Sequence, residues 1–444
     1  MFADATRDTR LVHATVALLA GALACGLWLP EFFDICLTVA IAAGVATLAL
    51  LYPTAFSTAW LVVTGMSLEM TLHDLIGPSM LQATIAAVKG AEIALAGILA
   101  MRYGTRFDVL NPAWAYATML LTGWAHGLYP GLTAEDSLRS FIGSAAPFAF
   151  CFCRLPRDWP AAIIRTTKWC PVIAVGACVP LALLDLRPLF VDSGGARLAG
   201  LGHPAFLAGV CLPAIYACLT EIYRFGRRGD VALLAANFLI LVLTGARAPL
   251  AYAVVVTGLA LLAVPSPAFP PHARRLLLLT GACAMAILVL FADDLTGARL
   301  FNVVETEAGD LSGRNLLWPW FEAAAAQSPW VGWGIGAGNA IIPPDGPIAR
   351  LLHTWAAHNE YLRIEVEGGQ IGRMMLILLF AAWVIRGTSR MQRAEGRILR
   401  LAFMAFAAHA ATDNVLISTP VCVLIAFTTA EFHRLPLPDS ARRA

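Results

Sequence analysis

Apolar runs of about 17 to 25 residues, the length that crosses a bilayer, recur along almost the whole chain. They stand near 11–29, 34–51, 55–72, 81–101, 111–128, 137–153, 169–185, 204–222, 231–246, 248–264, 276–292, 369–386, 398–412 and 416–432. Lipid offers no partner for a backbone N–H or C=O, so segments of this kind are predicted to be helices rather than open sheet. Pro and Gly interrupt several of them. The pattern therefore predicts an all-α, polytopic integral membrane protein with about 12–14 transmembrane helices. Composition agrees, since 59% of the 444 residues are hydrophobic and only 14% are charged. A soluble domain carries about a quarter charged residues. The first run has no small-residue cleavage site and is followed at once by another, which predicts a retained helix rather than a removed signal peptide.

The arginines and lysines test this placement. Arg7 and Arg10, Arg102 and Arg106, Arg154 to Lys168, Arg224 to Arg228, Arg274 and Arg275, Arg386 to Arg400 and Arg434 to Arg443 fall in alternate loops. The other side receives only scattered arginines, among them Arg187, Arg197, Arg247, Arg314 and Arg350. By the positive-inside rule both termini are expected in the cytoplasm and the long 293–368 segment outside. Three regions follow: transmembrane helices over 1–292, a helical outer subdomain over 293–368, and C-terminal transmembrane helices with a cytoplasmic tail over 369–444. The net charge of +2 orients the chain and makes no stripe for nucleic acid. The cysteines sit almost entirely in apolar runs and the outer segment holds none, so neither a disulfide nor a CxxC metal pair is expected there.

The outer segment is where chemistry has to be sought, because it is polar, glycine-bearing and tryptophan-bearing. Ser312 is placed to cap a helix running to about Gln327, with a kink or restart at Pro319. Residues Pro329 to Pro347 are turn-rich. A second helix is expected from near Ile348 to Glu367, with Gly368 and Gly369 bending the chain into the next span. Arg247, at the outer end of a span, either snorkels to head groups or clamps a phosphate with its planar fork of donors. Arg314 either pairs with Glu322 or a lipid phosphate, or does the same work. His358 is either a hydrogen-bonded structural residue or a base, since imidazole takes a proton near neutral pH. His353 is its rival, and five residues is poor helical spacing for a shared metal. The run Gly332 to Gly338 has no preceding strand and no phosphate-loop lysine, which favours a tight bend over a nucleotide loop. Trp318, Trp320, Trp330, Trp333 and Trp355 suit an interfacial belt. Within the bilayer, Lys89 and Glu92 are spaced to pair on one helix face, a structural ion pair or a transport element.

Taken in order, Thr244-Gly245-Ala246-Arg247, Ser312-Gly313-Arg314 with Trp318, the GWGIG turn, His358-Asn359-Glu360-Tyr361-Leu362 and Glu367-Gly368-Gly369 leading to Gly372 resemble the O-antigen ligase and polymerase family. The likeness covers roughly 200–375, and Ala246 stands where many members have Ser. The resemblance implies a glycosyltransferase of polysaccharide and lipopolysaccharide assembly in the bacterial inner membrane. Its reaction would be inverting and independent of metal or other cofactors. A glycan carried on undecaprenyl pyrophosphate would be transferred to an acceptor hydroxyl on the periplasmic side. By position, Arg247 and Arg314 would hold the pyrophosphate, Asn359 would contact substrate, and His358 would be the catalytic base. The acceptor would be another glycan (a polymerase, of O-antigen or exopolysaccharide) or lipid A core (a ligase). A chain-length regulator or other assembly proteins would be partners. A secondary transporter is the alternative of another class; it predicts paired inverted repeats, which the sequence does not display, and midplane charges lining a path, whereas the candidate cluster is expected at the outer surface.

Overall fold

The computed structural model describes residues 43–77, 79–192, 195–266, 268–290, 314–344, 346–352 and 354–434, with short pieces of the first 25 residues. The chain runs α1 (Ala43–Leu51), α2 (Pro53–Met66), α3 (Leu68–Ile76), α4 (Ser79–Tyr103), α5 (Ala113–His126) and α6 (Ala134–Ala145). After a short 3₁₀ stretch, Ala146–Phe152, come α7 (Trp159–Leu183) and a hairpin of β1 (Phe190–Asp192) and β2 (Ala196–Leu198). The next elements are α8 (Pro204–Phe225), α9 (Arg228–Leu243), α10 (Arg247–Ala263), α11 (Pro271–Leu290), α12 (Arg314–Gln327) and α13 (Pro347–Leu352). The chain closes with α14 (Glu360–Ser389), α15 (Arg393–Ala410) and α16 (Pro420–His433).

The protein is a polytopic, helical membrane protein. Among the described residues four helices are long and apolar enough to span, or five if the bent pair α1–α2 is one span. That pair turns through 111° at Tyr52, and Pro53 opens α2 where its missing N–H costs nothing. Fewer helices qualify than the apolar runs suggest. The run at 248–264 folds as α10 and the run at 416–432 as the shorter α16, both below span length. The runs at 11–29 and 34–51 are described only in part.

Two helices form the centre of the bundle. α8 is buried on nearly every face and packs against α7, α9, α10, α15 and α16. α16 is buried from Pro420 to Glu431. A helix that is apolar all round has no solvent face to present, which is why hydropathy alone marks both as spans.

A second, smaller core stands apart from the bundle core. Leu317, Phe321 and Ala324 of α12 meet Ile341, Ile342 and Val366, with Tyr129 and Leu132 closing one side. α12 is one continuous helix through Pro319, so the expected break does not appear. Ser312 lies outside the described residues. The bend at the second glycine does appear, since Gly369 has φ 58 and ψ −163 within α14. There Val366 and Glu367 cannot make their helical bonds. Their carbonyls accept instead from the N–H groups of Trp333 and Gly334, both at 2.9 Å. The freed N–H groups of Gln370 and Ile371 donate to Pro329 and Trp330 carbonyls at 2.8 and 3.1 Å. Four backbone groups exposed by one break are thus satisfied by one turn. A Cβ on Gly369 would stand 2.3 Å from the Trp330 carbonyl carbon, and one on Gly332 would stand 2.5 Å from Glu367. The glycine-rich run is therefore a clasp on α14.

Candidate functional site

The end of the bundle that carries this clasp also carries His358. α13 stops at Leu352 and α14 starts at Glu360, with Asn359 as its cap through an Oδ1 that accepts from Leu362 N–H at 3.2 Å. His358 sits just before the cap with φ 48, a conformation that β-carbon-bearing residues seldom adopt. Its backbone is fixed from α12, where Trp318 Nε1 donates to the Ala357 carbonyl at 2.9 Å. Two of the five belt tryptophans are therefore structural, since Trp333 Nε1 likewise bonds the Ala324 carbonyl at 2.8 Å. Trp320, Trp330 and Trp355 remain exposed.

The imidazole is held on both nitrogens. Nδ1 lies 3.1 Å from Asp413 Oδ1, and Nε2 lies 3.1 Å from Thr354 Oγ1. Burial works to raise the Asp413 carboxyl, but the hydrogen bond from His358, the Asn414 N–H and the charges of His358 and His409 outweigh it. The group is held below its ordinary value of 3.8 and is a carboxylate near neutral pH. A carboxylate only accepts, so Nδ1 carries the imidazole proton and Nε2 presents its lone pair. The arrangement is that of a general base oriented by an acid. His358 and Asp413 are 30% and 42% exposed, open enough for a substrate to reach them.

The loop that brings Asp413 here is clamped by buried polar groups. Glu360 Oε1 accepts from Leu416 N–H at 2.6 Å, and Glu69 Oε1 accepts from the Thr419 hydroxyl at 2.6 Å. Lys89 donates to the Ile417 carbonyl at 3.2 Å. The expected Lys89–Glu92 ion pair does not close, because no contact within 4 Å joins them among the described residues. Lys89 is turned toward the loop before α16 instead. Glu360 also pairs with Arg363 Nε at 2.6 Å, and Arg363 Nη1 with Glu367 at 2.8 Å. These charges, three and four residues apart on one helix, are buried and anchor the start of α14.

Arg247 is the first residue of α10, immediately after the turn at Thr244 and Gly245. That turn is tied down by Arg197, whose Nε donates to the Thr244 carbonyl at 2.7 Å. Arg187 donates to the Gly200 and Gly202 carbonyls, so both of these arginines tie down backbone. One and a half turns along α10 from Arg247, Tyr252 stacks on His409 with ring centroids 5.2 Å apart. His409 Nε2 stands 3.7 Å from Asp413 Oδ2, so α10 reaches the His358 site through Tyr252, His409 and Asp413. Arg314 opens α12, one helical turn before Trp318. The Arg314 side chain and His353 lie outside the described residues. The cap leaves the Asn359 amide nitrogen as the part of that side chain able to meet a ligand.

A groove of about 410 Å³ begins beside this site and runs between α14 and α15. Glu360, Ala410 and Leu416 line its near end, and Phe380, Phe403 and Met404 line its apolar middle.

Asp413, Thr354 and the Glu360–Arg363–Glu367 set escaped sequence reasoning. The last had a usable signal in its i, i+3, i+4 spacing. Asp413 had none, being 55 residues from its partner in a short polar loop.

Comparison with known proteins places this assembly. Residues 232–379, about a third of the chain, match the family model described as O-antigen ligase. No curated protein and no solved structure matches. The match spans Arg247, Arg314, His358, Asn359 and the Gly369 break, and it ends before His409 and Asp413. Residues 232–379 carry an O-antigen ligase domain, the mark of a family of membrane enzymes that transfer glycans.

Proposed function

We propose that this enzyme transfers a glycan from undecaprenyl pyrophosphate to a hydroxyl of a second lipid-linked glycan, at the periplasmic face of the bacterial inner membrane. The observation that carries the reading is His358, with its Nδ1 proton on Asp413 and its Nε2 lone pair facing a hydroxyl. In this reading His358 Nε2 takes the proton of the acceptor hydroxyl as the acceptor oxygen bonds the anomeric carbon. The bond from that carbon to the diphosphate oxygen breaks, and its electron pair leaves on the diphosphate with inversion. Arg247 and Arg314 neutralise that charge from the starts of α10 and α12, and fixed cations of this kind need no reorganisation during the step. Asn359 contacts the sugar through its free amide.

The groove between α14 and α15 supports a lipid-anchored donor, since its apolar walls start beside His358 and descend along a span. Periplasmic sidedness rests on the arginine distribution, with 293–368 outside, both termini cytoplasmic and flanking membrane regions at 1–292 and 369–444. Ligation to lipid A core uses the same chemistry with another acceptor. The deciding experiment is reconstitution with undecaprenyl-linked repeat units, with and without lipid A core. Lengthening of the lipid-linked glycan supports polymerase activity, and product appearing only on lipid A core replaces it with ligase activity.

A further inference from the structure

We propose that Thr354 occupies, in the resting enzyme, the position of the acceptor hydroxyl, and so shields His358 from water until an acceptor displaces it. The inference rests on His358 being the base. Thr354 Oγ1 lies 3.1 Å from Nε2, the nitrogen left with a lone pair when Nδ1 donates to Asp413. The same Oγ1 accepts from the Ala356 N–H at 3.3 Å. With its acceptor side engaged, the Thr354 hydroxyl has its own proton to offer to Nε2. The chain thus supplies the base with the hydrogen bond that an acceptor sugar would make, at the same atom and in the same direction.

Such a stand-in has a reason to exist. His358 is 30% exposed, so water has access to the site. Water at Nε2 would follow the same path as a sugar hydroxyl. Its proton would pass to Nε2, its oxygen would bond the anomeric carbon, and the electron pair of the broken bond would leave on the diphosphate. The result is hydrolysis and a wasted donor. A tethered hydroxyl competes with water for Nε2, yet one rotation about the Thr354 Cα–Cβ bond withdraws it. The backbone supports this placement. The left-handed turn at His358 folds the ring back over residues 354–357, and the Trp318 bond to Ala357 holds that turn closed.

The test uses the full-length protein in liposomes with an undecaprenyl-diphosphate-linked oligosaccharide donor and a lipid-linked oligosaccharide acceptor. Released free glycan and transferred glycan are counted separately for wild type, Thr354→Val, Thr354→Ser and His358→Ala. Thr354→Val keeps the shape of the side chain and removes the hydroxyl. We expect its hydrolysis-to-transfer ratio to rise by about three- to tenfold, the worth of one neutral hydrogen bond. The KM for acceptor should fall, and Thr354→Ser should restore both quantities. An unchanged ratio and KM in Thr354→Val, with His358→Ala inactive, overturns the shield and leaves the base assignment standing. Complete loss of transfer in a monodisperse Thr354→Val that still binds donor also overturns it, because Thr354 would then be required for the chemistry. Full transfer by His358→Ala removes both ideas.

Discussion

At the scale of single residues, the proposed chemistry depends on one imidazole having two different nitrogens. Replacing His358 by Ala should lower transfer by about a hundred- to ten-thousand-fold, the usual worth of a positioned base, while donor binding persists. Measured transfer within a few-fold of wild type would remove the base. Asp413→Asn keeps the shape of the partner but can offer an N–H to Nδ1, which shifts the proton to Nε2 and spoils the lone pair; a fall in kcat with little change in donor affinity is expected. The pH behaviour has a definite sign. The folded Asp413 carboxyl lies below its ordinary 3.8, so its pairing stabilises the fold at every pH above that value and is lost as pH falls through the depressed one. Thermal unfolding of wild type against Asp413→Asn should therefore show a gap that persists from neutral pH down to the ordinary carboxylate range. The gap should close only in stronger acid. A gap that closed between pH 8 and 6 would contradict the shift. Sequence reading picked out His358, Arg247 and Arg314 as candidates because each stands in a short motif. It could not find Asp413, whose meeting with His358 is made by the packing of α15 and α16 rather than by any spacing.

At the scale of elements, the break at Gly369 is where the glycine-rich turn after α12 is fastened to α14. The bend was legible, since two adjacent glycines follow a polar helix and precede an apolar one. What the glycine-rich run binds was not, because backbone-to-backbone contact leaves no side-chain pattern. Gly369→Ala combines a backbone conformation reserved for glycine with a 2.3 Å approach to Trp330. We expect a loss of at least about 1–3 kcal/mol, read as a lower thermal midpoint in detergent, and a wild-type midpoint would refute the clasp. Trp318→Phe keeps the packing but frees the Ala357 carbonyl. Its cost should be about 1 kcal/mol in stability, with transfer reduced further than stability alone explains.

At the scale of the whole molecule, hydropathy identified the class, a polytopic helical membrane protein, and among the described residues four or five helices reach span length. The shorter α16 is packed into the bundle, where it meets α7 and α8. The proposed sidedness makes its own prediction. Leu351 is 70% exposed in α13, and Arg397 is exposed at the other end of the bundle on α15. An impermeant thiol reagent should label Leu351→Cys in intact cells and Arg397→Cys only after permeabilisation; the reverse pattern would invert the topology. The most direct test of the central claim is glycan transfer by purified protein in liposomes, from undecaprenyl-diphosphate-linked oligosaccharide, with wild type and His358→Ala side by side. The account predicts transfer by the wild type and donor binding without transfer by the variant. Equal transfer by both would contradict it.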